Sequence, residues 1–187
     1  MKQGFKQLFI GFLFVFINIH IIVDIMPNFI GYIFIYNGIK LIATLTSQNY
    51  GKLKLLCIIL TITSIPSFFL NDSLLQQSDW LSYYPVVLTL LKVILVFYLF
   101  DLMKKATLML PTKESLIYTE RVFAWYMIIV ISHLFIQSFT LNITNDFFIF
   151  LSIASVIFMI GAEIALLIYL NKIKKSFPEE GAFEQFV

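Results

Sequence analysis

Long apolar runs, separated by short polar connections, constrain this chain more than any other feature. Several runs approach or exceed the roughly 18–20 residues that an α-helix needs to cross a bilayer. In keeping with them, only 13% of the 187 residues are charged, against about 25% in a typical soluble domain. The pattern predicts an all-α fold, a polytopic membrane bundle with no room for a separate soluble domain.

The polar connections divide the chain into six predicted transmembrane helices. We place them near residues 5–23, 29–46, 53–70, 84–103, 120–140 and 146–170. Residues 1–175 then form one six-helix transmembrane domain, and residues 176–187 form a short mobile cytoplasmic tail. The basic N-terminus is followed by no small-residue cleavage site, so the first run is predicted to remain as a span.

The basic residues predict the orientation of the bundle. With one exception, every Lys and Arg lies on one side of the predicted spans: Lys2, Lys6, Lys40, Lys52, Lys54, Lys104, Lys105, Lys113, Arg121, Lys172, Lys174 and Lys175. The connections on the other side carry no Lys or Arg. Because basic residues accumulate in cytoplasmic loops, both termini are predicted to be cytoplasmic and the protein to be a multi-pass protein of the plasma membrane.

The exception is Lys92, which lies inside the fourth span at roughly 12 Å below the outer surface. His133 shares its level, and His20 and Asp24 lie near the outer end of the first span. Ionisable residues at such depth usually face a bundle interior, a partner or water. These residues predict a ligand site or polar cluster of Asp24, His20, Lys92 and His133, with a Lys92–Asp24 pair as its core. The alternative is that Lys92 extends alone toward the surface and each His bonds a backbone carbonyl.

A second ionisable residue at depth, Glu163, lies about seven residues from the predicted inner end of the sixth span. Lys40 of the second span lies near the same level. This shared level predicts an intramembrane Lys40–Glu163 pair. We favour a structural salt bridge, or a protonated Glu163, over a transport site.

Glycines predict close packing of the first two spans. Gly31 and Gly38 are seven residues apart, so they share one helix face, and Gly4 and Gly11 repeat that spacing. Gly11 and Gly38 both lie roughly seven residues from the inner surface. Because small residues let membrane helices approach closely, we predict helix packing at Gly11, Gly31 and Gly38.

Signatures of enzymes and cofactor sites are absent from the sequence. There is no H-E-x-x-H, no G-x-S-x-G, no P-loop and no dinucleotide motif. Cys57 is the only cysteine, so a Cys-rich metal site is excluded. We predict no catalytic residue, no metal and no cofactor. A nucleic-acid partner is not expected, because the basic residues are thinly spread.

The stretch from Asp24 to Gly38, D-I-M-P-N-F-I-G-Y-I-F-I-Y-N-G, resembles a hairpin of uncharacterised small multi-span membrane proteins of Gram-positive bacteria. This resemblance implies a bacterial plasma membrane and transfers no activity. Six spans with cytoplasmic ends are also similar to the substrate-binding subunits of energy-coupling-factor vitamin transporters. Those subunits carry A-x-x-x-A in the first span, where this chain has G-F-L-F-V-F-I.

Three classes of function remain open. The first is a non-enzymatic membrane protein that acts through a protein partner in the bilayer, as an accessory or immunity-type factor. The alternative is a small-molecule transport or substrate-binding subunit, and the third is an intramembrane enzyme using His133 or Glu163. A central pocket lined by Lys92 and His133 would favour transport. A filled core with an exposed groove would favour partner binding.

Overall fold

The computed structural model describes residues 1–20, 27–46, 49–66, 84–111, 113–140 and 145–178, with the backbone alone for 17–20 and 140. The described residues form six α-helices, which confirms the predicted all-α class. They are α1 (Lys2–His20), α2 (Asn28–Leu45), α3 (Gly51–Thr63), α4 (Tyr84–Thr107), α5 (Lys113–Thr140) and α6 (Asp146–Ser176). Three helices are longer than predicted: α4 continues four residues beyond the predicted span, α5 starts seven residues before it, and α6 continues six residues beyond it.

Four of the described helices are long and apolar enough to cross a membrane by length and composition. These are α2, α4, α5 as far as Phe139, and α6. The described part of α3 has 13 residues, or about 20 Å at 1.5 Å per residue. That length is less than the roughly 30 Å of a bilayer's hydrocarbon core.

Local sequence explains where several helices start. Pro27, with φ −64° and ψ 130°, precedes the first residue of α2, and Pro85 occupies the first turn of α4. Proline is tolerated there because the first N–H groups of a helix have no partner within it. Asn145 caps α6, where its Oδ1 accepts a hydrogen bond from the Phe148 amide at 2.9 Å.

The helices are arranged as a ring in the order of the sequence. Each packs against the next, and α6 returns to contact α1. Contacts between α2 and α4 cross the ring, so its centre is filled by side chains. Ile35, Leu95, Leu99, Phe100 and Leu166 are among the fully buried residues of this core.

The start of α1 and the end of α6 lie at the same end of the bundle. The Phe5 ring stacks on the Phe177 ring with centroids 5.3 Å apart, and Lys174 Nζ lies 5.4 Å from the centroid of the Phe9 ring. Apart from Lys92, every Lys and Arg in the described helices lies in the half of its helix nearer to this end. We call it the basic end.

Glycines bring the backbones of α1 and α2 into contact. A Cβ placed on Gly11 would lie 2.6 Å from the Gly31 carbonyl oxygen, and one on Gly38 would lie 2.9 Å from the Gly4 carbonyl oxygen. The glycines thus face each other as Gly11–Gly31 and Gly4–Gly38. This corrects the predicted levels, which placed Gly11 beside Gly38. At the basic end, seven residues of α2 follow Gly38, whereas only two residues of α1 precede Gly4. Because Gly4 and Gly38 face each other, α2 reaches further than α1, and counting residues from the helix ends gives the wrong pairs.

Candidate functional site

A buried ion pair joins α4 to α6 in the middle of the bundle. Lys92 Nζ lies 2.5 Å from Glu163 Oε1, and the two residues are only 6% and 1% exposed. Tyr126 of α5 donates a hydrogen bond from its hydroxyl to the same carboxylate oxygen at 3.1 Å. Three helices therefore converge on one oxygen atom.

The positions of these residues along their helices place them at one level. Lys92 lies 15 residues before Thr107, Tyr126 lies 13 after Lys113, and Glu163 lies 13 before Ser176. At about 1.5 Å per residue, all three are roughly 20 Å from the basic end.

Aromatic side chains surround the pair. The Phe100 ring lies 6.2 Å from the Tyr126 ring, centroid to centroid. Tyr32 of α2 is also buried and lies within electrostatic range of Glu163. Because the charges of lysine and glutamate cancel, this buried region can hold both without a net charge.

This geometry corrects one predicted pairing, and a second involves a residue outside the described part of the chain. Glu163 pairs with Lys92, whereas Lys40 is exposed on α2, so the predicted Lys40–Glu163 pair is not formed. The predicted partner of Lys92, Asp24, lies outside the described residues, as does the side chain of His20. The continuation of α6 to Ser176 explains the difference, because it moves Glu163 away from the helix end and up to the level of Lys92.

His133 belongs to a second polar group, between α5 and α6. Its Nδ1 lies 3.0 Å from Ser155 Oγ, and Ser155 Oγ donates to the Ser152 carbonyl at 2.7 Å. Because a serine hydroxyl has a single hydrogen, the His133–Ser155 hydrogen bond must be donated by Nδ1–H. One turn further on, Gln137 Nε2 donates to Ser152 Oγ at 3.2 Å.

This second group lies in a groove on the perimeter of the bundle, the surface that faces away from its core. Ser132, His133 and Ser155 contribute its polar atoms, and its volume is about 260 Å³. The rest of the lining is apolar: Ile128, Ile129, Ile136, Leu151, Ala154 and Phe158. We call this feature the α5–α6 groove.

The predicted cluster of Lys92 and His133 is thus divided into two sites. Ser155, which bonds His133, and Glu163, which bonds Lys92, are eight residues apart on α6, or about 12 Å. Within the described part of the chain, no group of three or more His, Cys, Asp and Glu side chains could hold a metal ion.

Sequence reasoning missed Tyr126, Ser152 and Ser155. Signals for two of them were present. Ser152 and Ser155 are three residues apart, and His133 and Gln137 are four apart, so each pair forms a polar stripe on one helix face. Two polar stripes on consecutive apolar helices indicate a shared contact. For Tyr126 the sequence holds no comparable signal, because its hydroxyl is one of many in this aromatic-rich chain.

Comparison with known proteins gave no match to a protein-family model, to a curated protein or to a solved structure. A proposal of function for this chain therefore rests on its own geometry.

Proposed function

We propose that this chain is a non-enzymatic, multi-pass protein of a bacterial plasma membrane. In this proposal its six helices all cross the bilayer with both termini in the cytoplasm, and it acts by binding a protein partner within the membrane, as an accessory or immunity-type factor. The observation that supports it most is the location of polar groups. The charges of the core neutralise each other, whereas a second polar group opens onto the outer surface at the α5–α6 groove.

The filled core argues against a solute site at the centre of the ring. The Lys92 ammonium and the Glu163 carboxylate are bound to each other and are almost fully buried. Neither charge is presented to a solute in this conformation. An intramembrane enzyme would have to use His133 or Glu163 alone, because Ser155, which bonds His133, is about 12 Å from Glu163 along α6.

The α5–α6 groove has the chemistry of an interface between membrane helices. Ser132 is exposed and His133 half-buried, beside the apolar walls of the groove. Polar side chains facing lipid are costly, and they commonly hydrogen-bond across helices, with average energies of about 0.6 kcal/mol and up to about 2 kcal/mol. A partner helix carrying a hydroxyl or amide side chain would cover these groups and fill the groove.

Site-specific photocrosslinking tests this interface. A photoreactive amino acid at Ser132 should capture a defined membrane protein in native membranes, and His133→Ala should reduce the yield of that adduct. The matched control is the same amino acid at Ile94, an exposed position on α4. Equal capture at Ile94, or an adduct that is unaffected by His133→Ala, would contradict partner binding at this groove.

A transport or substrate-binding role remains the second candidate, supported by the pair itself. Ionisable residues at mid-depth in a membrane bundle often belong to a solute or proton pathway. Reconstituted vesicles should then show a solute or proton flux that Glu163→Gln abolishes and Lys40→Gln preserves. Such a flux would favour transport over partner binding.

A further inference from the structure

Basic and aromatic side chains form an ordered group where α5 begins and α6 ends. Lys172 Nζ lies 4.2 Å from the centroid of the Tyr118 ring, which is a favourable cation–π distance. The Tyr118 ring in turn lies 5.7 Å from the Tyr169 ring. The Lys172 cation therefore has an aromatic support on the surface of the bundle.

A buried hydrogen-bond chain holds that support in place. Thr119 Oγ1 donates to the Ser115 carbonyl at 2.7 Å, so the 2.9 Å contact between Thr119 Oγ1 and the Tyr169 hydroxyl is donated by the tyrosine. Both Thr119 and Tyr169 are fully buried. Because the base of the group is fixed, the exposed Lys172 loses less conformational freedom when it binds an anion.

The positive charge on this flank is not neutralised by neighbouring carboxylates. Lys104 is 3.5 Å from Glu120, and Lys105 is 2.9 Å from Asp101. By contrast, no carboxylate in the described part of the chain lies within 4.0 Å of the exposed residues that share the flank, Lys172, Arg121 and Lys175.

Helical spacing places these cations together. Arg121 is three residues after Tyr118, and Lys175 is three after Lys172, so each lies one turn from the Tyr118–Lys172 contact. Glu114, four residues before Tyr118, brings one negative charge to the same flank. Among the described residues of this flank, an excess of two positive charges remains.

Apolar side chains continue the same flank toward the middle of the bundle. Trp125 is 67% exposed and Ile168 59% exposed. From Lys172, the roughly 15 Å depth of one leaflet's hydrocarbon extends along α6 to about the level of Ala162, four residues short of Phe158 in the α5–α6 groove. A ligand that matches the whole flank carries a negative headgroup and a long apolar tail.

We propose that the basic end of the α5–α6 flank, formed by Tyr118, Arg121, Lys172 and Lys175, binds one anionic phospholipid. Its phosphate headgroup lies between the Arg121 guanidinium and the Lys172 ammonium, and an acyl chain runs past Trp125 and Ile168. This lipid site is separate from the α5–α6 groove, because Lys172 and Ser155 are about 25 Å apart along α6. Lipid binding at this site can therefore be tested independently of partner binding at the groove.

Lipid exchange on the purified full chain, followed by native mass spectrometry, tests the proposal. Dioleoyl phosphatidylglycerol should be retained in preference to dioleoyl phosphatidylcholine, which has the same acyl chains. Each basic residue near an anionic surface contributes a factor of about five in affinity. Arg121→Gln combined with Lys172→Gln should therefore lower the preference by about tenfold or more. The matched control, Lys40→Gln combined with Lys52→Gln, removes two exposed charges elsewhere at the basic end and should leave it unchanged.

Further measurements separate the lipid site from its alternatives. Tyr118→Phe keeps the ring under Lys172 and should keep the preference, whereas Tyr118→Leu should lower it. Inorganic phosphate should not displace the bound lipid at millimolar concentration. Equal losses in the test and control double variants would show a general charge effect and overturn the site. Displacement by inorganic phosphate would overturn the lipid assignment in favour of a free phosphate.

Discussion

Removing one member of the Lys92–Glu163 pair should strongly destabilise the bundle. At the observed 2.5 Å separation, the attraction between two unit charges is about 7 kcal/mol at an effective dielectric constant of 20. The desolvation of two ions, several kcal/mol each, offsets most of this attraction, so the intact pair contributes little net stability. Breaking it leaves a buried charge without compensation. Lys92→Met alone or Glu163→Gln alone should therefore cost about 3–5 kcal/mol.

The double variant should be far less damaging than the sum of the single changes. With both charges removed, no uncompensated ion is left in the core, and the carbonyl oxygen of the introduced glutamine can still accept the Tyr126 hydrogen bond. We expect a net cost below about 2 kcal/mol, and hence a coupling energy above about 4 kcal/mol. Unfolding in mixed micelles titrated with sodium dodecyl sulfate, followed by tryptophan fluorescence, measures all four free energies of the cycle.

A second cycle provides the control. Lys40→Met combined with Glu163→Gln tests the pairing that sequence reasoning favoured. Because Lys40 is exposed on α2, Lys40→Met alone should cost little stability. The cost of the double variant should equal the sum of the two single costs within about 0.5 kcal/mol. Additive costs in the Lys92 cycle, or strong coupling in the Lys40 cycle, would refute the assignment of the pair.

Three further predictions test packing, hydrogen bonding and topology. Gly11→Ala should cost about 1–3 kcal/mol through overpacking of α1 on α2; Gly161→Ala, where a Cβ meets nothing within 4 Å, should cost nothing, and equal losses would remove the packing argument. Tyr126→Phe should cost about 1.5–3 kcal/mol in the same unfolding assay, because it removes a hydrogen bond to a charged group. An unchanged free energy of unfolding would mean that this hydrogen bond contributes nothing to stability. A topology reporter fused after Lys175 should report the cytoplasm and one inserted after Asn145 the exterior, and the same side for both would rule out the proposed topology.

Much of the architecture could be predicted because it follows from periodic properties of the sequence. Apolar runs of membrane length predict helices, and the described residues form six helices. Opposite helix directions bring the basic residues to one end, as the Phe5–Phe177 stack shows for α1 and α6. Both arguments depend on many residues at once, so an error of a few residues in a boundary does not change the result.

The partners of individual residues could not be predicted in the same way. The depth of Glu163 depends on where α6 ends, and a six-residue difference moves it by about 9 Å. The direction of a side chain also changes by about 100° per residue around a helix. A pairing argument based on depth alone therefore selected Lys40, whose level was plausible but whose side chain faces outward. Gly11 was matched with Gly38 and not with Gly31 for a different reason: the ends of α1 and α2 were taken to be level, whereas α2 reaches about five residues further at the basic end.

The buried pair also fixes how α6 presents its outer surface. Ser155, Glu163 and Lys172 lie eight and nine residues apart on one helix, so a rotation that moves Glu163 away from Lys92 also moves Ser155 and Lys172 relative to α5. In some proteins a buried polar group specifies register at a cost in stability, and here such a role for the pair would align both outer sites. The two outer sites should therefore depend on the buried pair, whereas the pair should not depend on the outer sites. Glu163→Gln should weaken both the Ser132 adduct and the preference for anionic lipid, whereas His133→Ala and the Arg121→Gln, Lys172→Gln double variant should leave the coupling between Lys92 and Glu163 intact. If the outer sites are unaffected by Glu163→Gln, packing alone sets the rotation of α6 and the pair has no such role.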